Sequence, residues 1–208
     1  MNEPNTELNN EGIAVQPEPS SKSPSPFIRG LVEQLELIVI AFAVIILVFS
    51  FFFRTCEVSG SSMEDTLLDG ETVLISNFLY EPERGDIIVF HQTSDTNPDF
   101  NEPMVKRVIG LPGDTVKIEY VPGSMIVTVT KADGTQNVLK EDYIKYSGTG
   151  RYIDSVFYVE EGTLFVMGDN RTVSADSRHS DIGLVDDRRV LGKVILRLAP
   201  LSSFGKVE

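Results

Sequence analysis

The chain has 208 residues, a net charge of −13, and 41% hydrophobic against 24% charged residues, which allows one compact domain with appendages. The acidic balance excludes nucleic acid as a partner, because phosphate binding needs clustered Lys and Arg. One cysteine (Cys56) and two histidines (His91 and His179) exclude an internal disulfide and speak against a structural zinc; no metal or other cofactor is expected for the chemistry read below.

Residues 1–26 hold five of the eleven prolines and almost no large apolar side chain, which predicts a flexible tail. Leu37 to Phe53 then runs for 17 residues without a charge. A bilayer core takes about 20 helical residues, roughly 17–25. A buried helix of a soluble domain would carry a polar stripe over this length, and the run has none. A membrane anchor over 27–54 is therefore expected. A cleaved secretory signal is the rival reading, since Ser59-Gly60-Ser61 offers a small-x-small cleavage pattern. Against it stand the long leading segment and its few cations, Lys22 and Arg29, among several acids. Those two cations lie before the run and Arg54 after it, a slight bias toward a cytoplasmic N-terminus and an extracytoplasmic domain.

From Thr55 onward the texture is β. Thr72–Ser76, Asp86–Phe90, Met104–Leu111, Thr115–Val121, Met125–Thr130, Leu164–Met167 and Val190–Leu198 are short, rich in Val and Ile, and bounded by Gly, Pro or Asp. Ala132-Asp133-Gly134 reads as a hairpin tip between Met125–Lys131 and Gln136–Leu139. The segments around 79–85 and 92–102 read as loops, and no soluble helix is predicted. The fold class is mainly β, a single membrane helix followed by an all-β domain over 55–200, with a short C-terminal tail at 201–208.

Three stretches carry candidate chemistry. Ser59-Gly60-Ser61-Ser62 is a run of small residues that another backbone can approach closely. A hydroxyl there is a nucleophile only beside a base. His91, at a strand end, and His179, in a polar loop, read as solvated or locally bonded histidines. Lys106 is the better base: alternation puts it on the face of Met104 and Val108, where desolvation lowers an ammonium pKa. Arg107 does not deprotonate. The competing reading of Lys106 is a lysine snorkelling from a strand edge, and pattern alone does not join it to Ser62. The third stretch, Gly168-Asp169-Asn170-Arg171 through Arg178, follows an apolar strand. It reads as a polar network or as a capped surface turn, with Asp176 and Arg178 as a possible pair.

Taken together and in this order, Gly60 to Leu67, Arg84 to Phe90, Val105 to Asp114 and Gly168 to Arg178 resemble the boxes of type I signal peptidases. These are membrane-anchored Ser-Lys proteases that remove signal peptides from exported preproteins. The resemblance covers about residues 30–198. It implies the all-β signal peptidase fold, Ser62 as nucleophile and Lys106 as general base. It implies that Ser174 hydrogen-bonds and orients Lys106, with Asp176 and Arg178 bracing that loop. It also implies a shallow substrate pocket beside the catalytic pair, lined by Val58, Met63, Leu67 and Val105. The partners implied are signal peptides and membrane lipid, and a monomer is expected. Lys106 stands where the eukaryotic branch has histidine. Two positions depart from the usual pattern: Asp65 replaces a proline, and Gly60 occupies a site where some members place a serine that helps bind the oxyanion. The large inserted second domain of some members is missing. A self-cleaving repressor-type Ser-Lys protease would carry a helical DNA-binding domain where this chain has an acidic tail and an apolar run. A tethered β-domain without catalysis is the other alternative. The Ser203–Lys206 spacing repeats a β-lactam-type Ser-x-x-Lys pattern by chance.

Overall fold

The computed structural model describes residues 25–93, 97–144 and 153–207. The chain divides into two compact units, 1–47 and 48–208. Most of the tail expected over 1–26 lies outside the described residues. Helix α1, Pro26–Phe52, carries Arg29, Glu33, Gln34 and Glu36 in its first part and is apolar all round from Leu37 on, and its apolar side chains are exposed. Its 27 residues, at about 1.5 Å each, give it the length to cross a bilayer.

The second unit is built from strands, as the residue pattern predicts. They are β1 (Phe53–Glu57), β2 (Thr72–Ser76), β3 (Ile87–His91), β4 (Pro103–Gly110), β5 (Thr115–Val121), β6 (Ser124–Thr130), β7 (Gln136–Val138), β8 (Ser155–Tyr158), β9 (Thr163–Met167), β10 (Val185–Asp186) and β11 (Val190–Ala199). All pair antiparallel, in a seven-stranded sheet of order β1-β2-β11-β3-β4-β9-β10 and a four-stranded sheet of order β7-β6-β5-β8. The expected hairpin tip at Ala132-Asp133-Gly134 joins β6 to β7. Among the described residues the helices that follow α1 are three short 3-10 turns, at Pro98–Phe100, Asp187–Arg189 and Leu201–Ser203.

The burial pattern explains the layering. In β5 and β6 one face is buried (Val116, Ile118, Met125, Val127, Val129), and on the other face only Thr128 is, so the small sheet has one mostly wet face. Those residues pack on Ile109, Phe165 and Met167 of the large sheet. In β3 the run Ile87–Phe90 is buried throughout, because this strand is covered on both faces. Val89 and Ile87 face one apolar cluster; Ile88 and Phe90 face another. After β11 the chain turns back: Gly205 forms a β-bridge with Arg197, and Val207 packs on the cluster around Val89.

Candidate active site

Ser62 lies on a loop between two paired strands. Glu57 of β1 is opposite Thr72 of β2, and residues 58–71 connect them. The base of the loop is closed by Val58 N–H to Glu71 O and Gly70 N–H to Val58 O, both 2.8 Å. Gly60 turns the chain at φ +85°, where a side chain would be strained, and its N–H donates to Asp69 Oδ1 at 2.7 Å. Val58, Met63 and Leu67 drive inward onto Val73, Ile75, Ile87, Val89 and Val194. The large residues of the segment are thus consumed by the core, and the small ones, Ser59 to Ser62, are left on the cleft wall.

Lys106 comes from a central strand. It is opposite Ile88 of β3, while Arg107 is opposite Met167 of β9, so the end of β9 brings Gly168 alongside Lys106. Lys106 is 4% exposed. Its Nζ is 2.9 Å from Ser62 Oγ and donates to Val105 O at 2.9 Å. Burial pulls the amine down from its ordinary 10.5 to about 8, against the opposing pull of the Asp176, Glu102 and Asp169 carboxylates. At pH 7 about one such amine in ten is neutral, against roughly one in 2,500 for an ordinary lysine. The charged amine donates to the serine oxygen; the neutral amine accepts the hydroxyl proton across the same contact.

The loop after β9 ties the two halves together. A side chain at Gly168 would collide with the Ser174 hydroxyl and the Ser62 carbonyl, so only glycine fits there. Asp169, fully buried, takes a bidentate pair from Arg107 at 2.9 and 2.7 Å, and its Oδ2 also accepts the Thr66 hydroxyl at 2.6 Å. One carboxylate thereby links the serine loop to the lysine strand. Asn170 donates from its backbone N–H to Ser62 O at 3.0 Å and from Nδ2 to Ser61 O at 3.1 Å. Arg171 pairs with Glu141 and donates to Gly168 O at 3.0 Å. Asp176 accepts from Arg178 Nε and Nη2, both 2.8 Å, and from Gly168 N–H at 3.0 Å. The Ser174 hydroxyl donates to Ala175 O at 3.4 Å rather than to Lys106, whose second bond runs to Val105 O. Ser174 instead stands over the Cα of Gly168.

A cleft of about 230 Å³ opens beside the pair, with Val58, Ser62, Val89, Val105, Lys106 and Ala175 among its lining residues. Val58 and Val105 line it as expected from the resemblance. Met63 and Leu67 do not: both are fully buried in the core beneath the loop, because that is what holds the loop down. Glu57 and Glu102 stand at its mouth. His91 and His179 are not on the cleft wall. The His179 ring packs near Phe100 instead, centroids 5.5 Å apart.

The residue pattern alone gives no role to Thr66, Asp169 or Asn170, nor to the Glu71–Arg197 pair. Arg197 Nε lies 3.0 Å from Glu71, and its Nη2 donates to Thr66 O at 2.6 Å, bracing the loop from β11. The polar run 168–171 directly after an apolar strand is the visible signal; its partners, 30 to 109 residues away in the chain, show none.

The profile of a family described as signal peptidase, peptidase S26, matches residues 31–199. Signal peptidase IB of Staphylococcus aureus strain Mu50 is 35% identical over 195 residues, 85% of this chain and 93% of that one. Signal peptidase I of Bacillus licheniformis is 34% identical over 187 residues, 86% of this chain and 95% of that one. The crystal structure of a signal peptidase I from Enterococcus faecalis V583 aligns with 32% identity and a TM-score of 0.40, over 55% of this chain and 97% of that chain.

Proposed function

Because the chain belongs to the signal peptidase, peptidase S26, family, we propose that it is the membrane-anchored serine endopeptidase that cleaves signal peptides from exported preproteins with a Ser62–Lys106 dyad. The observation that carries this reading is the 2.9 Å separation of Ser62 Oγ from a buried Lys106 amine whose pKa burial lowers to about 8. The neutral amine takes the hydroxyl proton as Ser62 Oγ attacks the scissile carbonyl. The resulting oxyanion is met by the Ser62 N–H, which has no acceptor among the described residues. Lys106 then returns the proton to the leaving amine, and water hydrolyses the acyl-enzyme.

Asp176 and Arg178 hold the loop that covers the dyad, and Ser174 supports it from above Gly168. The narrow cleft walls, Val58 and Val105, admit small side chains before the cut. Helix α1 anchors the domain and concentrates membrane-held substrates near it. With Lys22 and Arg29 before the uncharged run that starts at Leu37, the N-terminus is cytoplasmic and the β-domain extracytoplasmic. The enzyme acts as a monomer in contact with lipid.

The test incubates the detergent-solubilised full-length protein with a precursor peptide whose signal ends in Ala-x-Ala. Cleavage after the last alanine, lost in Ser62→Ala, is expected. Cleavage that persists in Ser62→Ala removes the dyad. No cleavage by the wild-type protein leaves a tethered β-domain without catalysis.

A further inference from the structure

Asn170 makes two contacts that the dyad itself does not need. Its backbone N–H holds the carbonyl of Ser62, and its side-chain Nδ2 holds the carbonyl of Ser61. Ser61 O also accepts the Glu64 N–H at 3.2 Å, so this one carbonyl is fixed from two directions. The Asn170 backbone is itself fixed, because its carbonyl accepts from Ser174 N–H at 3.0 Å and Val173 N–H at 3.3 Å.

A peptide unit is planar. The Ser61 carbonyl and the Ser62 N–H belong to the same plane and point in opposite directions. Whatever fixes Ser61 O therefore fixes where the Ser62 N–H points. Hydrogen bonding to the carbonyl also polarises the amide and strengthens its N–H as a donor. The residue sits outside the cleft lining and touches neither the hydroxyl nor the amine of the dyad.

We infer that Asn170 is a positioning residue that aims and polarises the Ser62 N–H at the oxyanion, acting through the Ser61–Ser62 peptide plane. The inference rests on the dyad reading but makes a separate prediction. The benefit is confined to the transition state, where negative charge has formed on the substrate oxygen. Removing an oxyanion donor costs roughly 10²–10³ in kcat; misaiming one costs less, roughly tenfold to a hundredfold.

The experiment uses full-length protein in detergent micelles: wild type, Ser62→Ala, Asn170→Ala, and Asn170→Ser, whose side chain is too short to reach Ser61 O. The readouts are kcat and KM on a precursor peptide, the pH profile, and inhibition by the matching peptide aldehyde. Ser62 Oγ adds reversibly to that aldehyde carbonyl, which places an oxygen where the oxyanion forms. Both Asn170 variants are expected to lose tenfold to a hundredfold in kcat and a similar factor in aldehyde affinity, with KM and the position of the acid limb unchanged. Three results overturn the inference while leaving the dyad standing, provided that Ser62→Ala is inactive. They are an undiminished kcat, an equal loss in KM and aldehyde affinity, and a shifted acid limb, which would place the residue's effect on Lys106. Activity in Ser62→Ala overturns the dyad, and this role with it. If Asn170→Ala does not fold, Asn170→Ser carries the same comparison.

Discussion

Lys106 and Ser62 stand 2.9 Å apart but are held in opposite ways. Lys106 is a residue of a central strand, with β3 on one side and the end of β9 on the other, and burial does the rest. Ser62 belongs to no ladder. Its loop is held from below by Met63 and Leu67 in the core, and from the sides by Asp169, Asn170 and the Glu71–Arg197 pair. The contrast teaches that a base needs an environment and a nucleophile needs an address. The first is supplied by desolvation along a strand, the second by polar cross-links between distant segments.

The hardest blow to this contrast is removal of either partner. Lys106→Met keeps an apolar side chain of similar length in the strand and should leave the fold intact, as thermal unfolding would show. Cleavage of a precursor peptide should fall on the order of 10⁴-fold or more, as should that of Ser62→Ala. A Lys106→Met protein that still cleaves would mean the strand supplies no base.

Next in size is the link between the two regions. Asp169→Ala takes the carboxylate away from the buried Arg107 guanidinium, which keeps Gly85 O and the Tyr143 ring, and from the Thr66 hydroxyl. Losing one member of a buried pair costs about 3–5 kcal/mol, and the unfolding midpoint should drop accordingly while kcat falls. An unchanged midpoint would show that Asp169 does not join the halves. Smaller again is Arg197→Met, which removes the brace on Thr66 O from the far side of the loop and leaves the Lys106 strand untouched. It should lower kcat more than it moves the acid limb of the pH profile; a shifted limb would contradict the division of labour. The gentlest change is Glu102→Gln at the cleft mouth. Its carboxylate holds the Lys106 pKa up, so its loss should move the acid limb to lower pH with little change in the plateau rate.

The same contrast governs what the residues alone made legible. Strand alternation puts Lys106 on the apolar face of Met104 and Val108, but that pattern also fits a snorkelling lysine, and the resemblance rather than the period of two joins it to Ser62. Seven strands fell where runs of Val and Ile lay between turn residues, and β7 is the second arm of the expected hairpin. β1 did not, because Phe53 reads as the end of the apolar run. β8 and β10 are too short and mixed to announce themselves, and β10 has only two residues. The serine loop was recognisable by its small residues, but not how it is held. Met63 and Leu67 look like pocket residues until the loop is folded, when they become its anchors. Nothing local in Asp169 names Thr66 or Arg107 as partners.

The central claim is that a buried, largely desolvated Lys106 is the base for Ser62. Its most direct test is the pH dependence of kcat/KM for a precursor peptide. With the folded amine at about 8, the neutral form is scarce below that pH. The rate should therefore rise about tenfold per unit up to a bend near 8 and level off above it. A profile that is flat from pH 6 to about 9, or one that keeps rising toward the ordinary lysine value of about 10.4, would contradict the account.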